Sequence, residues 1–168
     1  MANKKVDNLA IANLRVLAIE AINEAKSGHP GIALGAAPIL HNLYCYHLKV
    51  DPKNSNWFNR DRFVMSAGHG SSILYATLAL AGYKISLKDL KNFRQLDSPT
   101  PGHPEVDITD GVDVSTGPLG QGIGMAVGLA MAESHLAKVF NKEDSKIVNH
   151  YTHCLCGDGD LQEGVALE

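Results

Sequence analysis

Apolar residues recur at helical spacing through Leu9, Ala12, Leu14, Leu17, Ala18, Ala21, Ile22 and Ala25, which predicts an amphipathic helix capped by Asp7 or Asn8. Gly28 and Pro30 stop it. A second helix is predicted from Pro38, which a first turn tolerates, to Leu48. Asp51 to Asp61 is a polar loop, and the run Arg62 to Met65 predicts a short buried strand. Ser71 to Ala81 predicts a helix closed by Gly82, and Ser86 with Asp89 caps another from Leu87 to Arg94. From Gln95 to Gly117 no period survives and prolines accumulate; a long irregular stretch between strong helices points to a functional loop. A helix from Gln121 to Phe140 follows, then the apolar run His150 to Cys156, suited to a buried strand. The chain turns through Gly157-Asp158-Gly159 and a new helix is predicted near Leu161. Strands separated by helices predict an α/β fold, a parallel sheet flanked by helices.

Composition narrows this picture only slightly. The 168 residues, 45% hydrophobic and 20% charged, suit one globular domain. A net charge of -3 argues against nucleic acid as the main partner. Cys154 and Cys156 sit in an apolar run and read as small buried hydrophobes; with Cys45 they read as reduced thiols of a cytoplasmic protein. No stretch is expected to span a membrane, which takes about 20 apolar residues. The N-terminal apolar segment is broken by Asn13, Arg15 and Glu20, which excludes a signal-peptide core.

The candidate chemistry begins at Gly157-Asp158-Gly159, where the last predicted strand ends. Ligands of open α/β sheets gather outside the carboxyl ends of strands. A lone carboxylate there suits Mg²⁺ or Ca²⁺ bridging phosphate oxygens, with the following helix N-terminus facing the phosphates; a plain turn is the competing reading. The spacing is neither a P-loop nor a dinucleotide fingerprint. Among Gly117, Gly120, Gly122, Gly124 and Gly128, the first members, with Pro118, read as a rigid wall and the later ones as close helix packing. Three histidines stand in glycine or proline frames: Gly28-His29-Pro30, Gly68-His69-Gly70 and Gly102-His103-Pro104. Such frames present a ring on a loop, where imidazole accepts, donates and shuttles protons near neutrality. The three are predicted to share one site. A three-histidine zinc centre is the rival use, without the i, i+4 pair of a helical zinc motif. His41, His47, His135, His150 and His153 have no assigned role.

These motifs together resemble the N-terminal, diphosphate-binding domain of transketolase, a thiamine diphosphate enzyme. The matching stretches are Ser27-Gly28-His29-Pro30-Gly31, Arg60 to Ser66 running into Gly68-His69, Phe93-Arg94-Gln95, Thr100 to Glu105, Thr116 to Gly122, and Gly157 to Gly164, in family order. The resemblance implies the thiamine diphosphate-binding fold and transfer of a two-carbon glycolaldehyde unit from a ketose phosphate to an aldose phosphate. It assigns Asp158 to the divalent cation, and Gly157 and Gly159 to the cofactor diphosphate. His69 would meet the cofactor and substrate, while His103 and His29 would meet the sugar. Gly117, Pro118 and Leu119 would line the cofactor rings, and Glu163 would couple two cofactor sites across a dimer. The position of Asp160 is often uncharged in the family, so Asp160 is expected to point to solvent.

The resemblance also implies that residues 1–168 are the N-terminal part of a diphosphate-binding domain, incomplete and truncated at its C-terminal end. A downstream Asn, a pyrimidine-binding domain with its glutamate, and the grip on the sugar phosphate would lie elsewhere. The chain alone is then expected to be inactive, either a fragment or one part of a split enzyme. It would work as a homodimer or with a partner chain carrying that domain. Two alternatives stay open: a non-catalytic interaction module, and a bare metal–phosphate binding protein.

Overall fold

The computed structural model describes residues 4–168. Helix α1 runs Lys4–Ala25 and buries Leu14, Ala18 and Ala21. It starts before Asp7, so Asp7 is not its cap; the Asp7 carboxylate instead faces His41 Nε2 at 3.0 Å and accepts the Tyr46 hydroxyl at 2.5 Å. Lys26 and Gly28 take positive φ in the turn that follows. Helix α2 spans Pro30–Tyr46, longer than the Pro38–Leu48 helix expected from the sequence. Pro30 opens it in the first turn, and Pro38 lies inside it. An internal proline leaves the carbonyl four residues back without its N–H partner. Here that carbonyl, Leu34 O, accepts Arg15 Nε of α1 at 2.9 Å, which lets the helix run through Pro38.

Strand β1, Arg62–Met65, pairs in parallel with β2, Thr152–Leu155, in the register Arg62 to Thr152. Between them come α3 (Ser71–Ala81), α4 (Leu87–Lys91) and α5 (Gln121–Phe140). Gly82, at φ 97°, closes α3. Ser86 and Asp89 close both halves of a capping box on α4, which ends three residues short of the expected Arg94. A last short helix, α6, spans Gly164–Leu167. The main core joins α1, α2, α3 and β1 through Leu14, Leu40, Phe63, Met65, Ile73 and Leu78. The architecture is the expected parallel sheet with helices, two strands wide among the described residues.

Three expectations are corrected. Strand β2 was expected to be buried and is half-exposed: β1 covers one of its edges, no strand pairs with the other among the described residues, and of its four residues only Leu155 packs against the core. Cys154 and Cys156 were expected to be buried and are exposed, as is Cys45; all three are free. The absence of a membrane-length segment also fails by length and composition, since α5 is 20 residues long and apolar enough to cross one. Its contacts are those of a globular helix on one side only: Gly122 and Ala126 are buried, while Val127, Met131, Val139 and Phe140 are exposed.

The long irregular segment is tied down by side chains rather than by a ladder. Thr100 Oγ1 donates to Asp89 O at 2.7 Å, Ser71 Oγ to Gly102 O at 2.7 Å, and Tyr75 OH to His103 O at 3.0 Å. Thr116 Oγ1 donates to Met65 O at 2.7 Å, joining the loop's end to β1.

The glycines of α5 divide by what they touch. A Cβ on Gly122 would stand 2.5 Å from Ser66 Cα, whereas Gly124 and Gly128 have open space. The close-packing expectation therefore holds at Gly122 and fails at the other two. Gly122→Ala is expected to destabilise by about 3 kcal/mol, the upper range for overpacking against backbone. Gly124→Ala and Gly128→Ala are expected to stabilise by up to about 1 kcal/mol through helix propensity. Urea denaturation of the three variants checks the contrast.

Candidate functional site

The site forms where β1 and β2 end and the flanking loops converge. Beyond β1, the N–H groups of Ser66 and Ala67 both reach Leu155 O, at 2.9 and 3.3 Å, so the chain after each strand leaves the sheet together. A tight turn, Gly68–Gly70, then carries His69. Its ring lies 5.2 Å, centroid to centroid, from that of His29, edge to face. His29 is the residue just before α2, so Pro30 fixes its departure from the helix.

His103 joins the pair through the long loop. A Cβ on Gly68 would lie 2.8 Å from Gly117 N, and one on Gly117 would lie 3.6 Å from the His103 ring. Glycine at 68 is therefore what lets the turn holding His69 press against the segment holding Gly117. Burial lowers the pKa of His69 below the usual imidazole value, with His29 adding to it and Asp160 opposing it. Burial also lowers His103, followed by Arg94, His29 and His69, with Glu105 opposing. Both rings are thus neutral at pH 7 and able to accept a proton.

Arg94, at φ 63°, braces two of these loops. Its Nη1 donates to Ser27 Oγ at 2.7 Å, and its Nε faces Gly102, 3.3 Å from where a Cβ there would stand. The guanidinium also stacks over Phe93 at 5.4 Å.

The Gly157-Asp158-Gly159 turn follows β2. Asp158 is exposed, and no hydrogen bond or ion pair engages its carboxylate among the described residues. A Cβ on Gly159 would lie 3.6 Å from Leu119, which places the turn against the Pro118-Leu119 segment. Glu163 is exposed, its Cβ 2.9 Å from the Cβ position of Gly120, where φ is 84°. No group of three His, Cys, Asp or Glu side chains among the described residues could hold a metal ion by itself. A single free carboxylate between glycines does fit a cation that takes its other ligands from a diphosphate and water.

Asp160 is the main correction. Expected in solvent, it is 1% exposed and at the centre of the site's framework. Its Oδ1 accepts Ser66 Oγ at 2.8 Å and Gly120 N at 3.0 Å, and its Oδ2 accepts Gly157 N at 2.8 Å. Burial pulls its pKa up most strongly, but these three donors and His69 hold it below the usual carboxylate value. The helix expected near Leu161 is a single tight turn, Asp160–Gln162, and α6 follows it. Nothing in the local sequence distinguishes Asp160 from a surface acid. Two of its three partners come from 40 and 94 positions away, and only Gly157 is local.

Comparison with known proteins matches residues 6–168 to the family model described as transketolase, thiamine diphosphate binding domain. The chain is 59% identical to the transketolase of Geobacillus stearothermophilus over 163 residues, covering 97% of this chain and 24% of that protein. Among solved structures, transketolase from Leishmania mexicana superposes with a TM-score of 0.94 at 50% identity, covering 99% of this chain and 24% of that one. A Pichia stipitis transketolase complex with sedoheptulose 7-phosphate superposes at 0.94 and 49% identity, covering 96% and 24%. The chain thus spans about a quarter of the length of the relatives it matches.

Proposed function

Since the chain belongs to the transketolase family through that family's thiamine diphosphate binding domain, we propose that it supplies the diphosphate side of a transketolase active site. That site would transfer a two-carbon glycolaldehyde unit from a ketose phosphate to an aldose phosphate. The observation that carries this reading is the convergence of His29, His69 and His103 on Gly68 and Gly117, with the Asp158 turn packed beside Leu119.

Thiamine diphosphate, when bound, supplies the electron sink for breaking the carbon–carbon bond beside a carbonyl. The protein's share is orientation and proton handling. Gly157 and Gly159 leave room for the diphosphate, and Asp158 would ligate a bridging Mg²⁺ or Ca²⁺. Gly117, Pro118 and Leu119 would line the cofactor rings. His69 and His103, neutral at pH 7, would take hydroxyl protons from the sugar, and His29, beside His69, would relay them. Glu163 would face a second cofactor site in a homodimer, or a partner chain bearing the pyrimidine-binding domain.

The test is transfer from a ketose phosphate to an aldose phosphate by the intact protein, with and without thiamine diphosphate and Mg²⁺. Transfer dependent on both is expected. Absence of transfer under all conditions, together with tight binding to a transketolase chain, would favour the alternative of a non-catalytic interaction module.

A further inference from the structure

Cys45, His41 and Asp7 form a line across α1 and α2 that shares no residue with the histidine cluster. Cys45 Sγ lies 3.5 Å from His41 Nδ1, and His41 Nε2 lies 3.0 Å from Asp7 Oδ1. An ionised carboxylate only accepts hydrogen bonds, so Nε2 carries the imidazole proton and Nδ1 turns its lone pair to the thiol. The Tyr46 hydroxyl, donating to the same Asp7 oxygen, fixes the carboxylate. Nucleophile, base and orienting group therefore stand in order. His41 is buried and Cys45 exposed, and both line a cavity of about 320 Å³. Its other walls are mostly apolar, including Leu14, Tyr44, Leu48, Val50 and Leu80. Metal binding is not its use, since no set of three such ligands exists among the described residues.

We propose that this cavity is a covalent modification site for small apolar α,β-unsaturated carbonyl compounds, with Cys45 as nucleophile and His41 as base. The sulfur electron pair forms a C–S bond at the β-carbon, and the π pair of the C=C bond moves to the α-carbon. The thiol proton passes to His41 Nδ1 and then to the α-carbon, so the step is a balanced addition needing no oxidant or reductant. Asp7 holds the imidazolium in between. Burial first, and the Asp7 charge second, push the Cys45 thiol up, so little thiolate stands free at neutral pH. Reaction therefore depends on an electrophile that dwells in the apolar cavity while His41 removes the proton. Small polar reagents gain the base but not the cavity.

The experiment measures Cys45 labelling rates in the intact protein by peptide-resolved mass spectrometry. The probes are N-phenylmaleimide and iodoacetamide, each rate divided by that of glutathione. The normalised maleimide rate is expected to exceed the iodoacetamide rate about tenfold. Ala10→Phe, which fills the cavity, is expected to erase that preference, and His41→Gln, which removes the base, to slow both reagents about tenfold or more, while circular dichroism shows a folded protein. Equal normalised rates in the wild type, an unchanged preference in folded Ala10→Phe, or unchanged labelling rates in folded His41→Gln overturn the proposal.

Discussion

Replacing Asp160 with Ala is expected to cost about 4 kcal/mol of stability. The side chain is fully enclosed and accepts from Ser66 Oγ, Gly120 N and Gly157 N. Truncation strands three buried donors, each worth about 1–3 kcal/mol when unpaired. Asp160→Asn keeps one oxygen, which can still serve Ser66 and Gly120. Its amide then meets the Gly157 N–H donor to donor, so about half the loss is expected. The pH dependence has a definite sign. The folded carboxyl titrates below its ordinary value, so its stabilisation is complete above the unfolded value and is lost as pH falls through the folded one. Wild-type stability is expected to drop below about pH 4, and Asp160→Asn to flatten that part of the profile. Urea denaturation at pH 7 and between roughly pH 3 and 5 measures both effects. A cost under about 1 kcal/mol for Asp160→Ala would mean that the three donors find other partners.

Asp160 also shows what the sequence could and could not reveal. Elements set by local pattern were legible to the residue: Arg62–Met65, Ser71–Ala81 and Gln121–Phe140 all occur as read. The framed histidines were legible because glycine and proline dictate backbone geometry nearby. Failures share a different cause, namely partners distant in sequence. Pro38 looked like a helix start because the rescue of Leu34 O comes from Arg15 on another helix. Asp7 looked like a cap because His41 and Tyr46 lie 34 and 39 residues on. Cys154 and Cys156 looked buried because strand hydrophobicity does not say how many neighbours a strand has. Arg94 was marked only by the matching stretch Phe93-Arg94-Gln95, and its bracing role was not legible, since its φ of 63° and its bond to Ser27 exist only in the folded loops.

The second aspartate of the same turn is expected to behave in the opposite way. Asp158→Ala should leave stability within about 0.5 kcal/mol of wild type, because the residue is exposed and no hydrogen bond or ion pair engages its carboxylate among the described residues. Cofactor affinity should instead collapse. A divalent cation held by one protein carboxylate and a diphosphate loses its principal anchor when that carboxylate goes. Removing groups that merely orient a metal ligand costs about 10–100-fold, so loss of the ligand itself is expected to cost about 100-fold or more. Calorimetric titration of the intact protein with thiamine diphosphate, in Mg²⁺ and in chelator, reads the effect, and a urea melt confirms the fold. Wild-type binding should require Mg²⁺, and the variant should bind equally weakly with or without it. Metal-dependent binding within about threefold of wild type would remove Asp158 from the cation site. The two residues thus divide one turn, Asp160 holding the loop to β1 and α5 while Asp158 stays exposed, and the pair of variants tests whether holding and binding are separate.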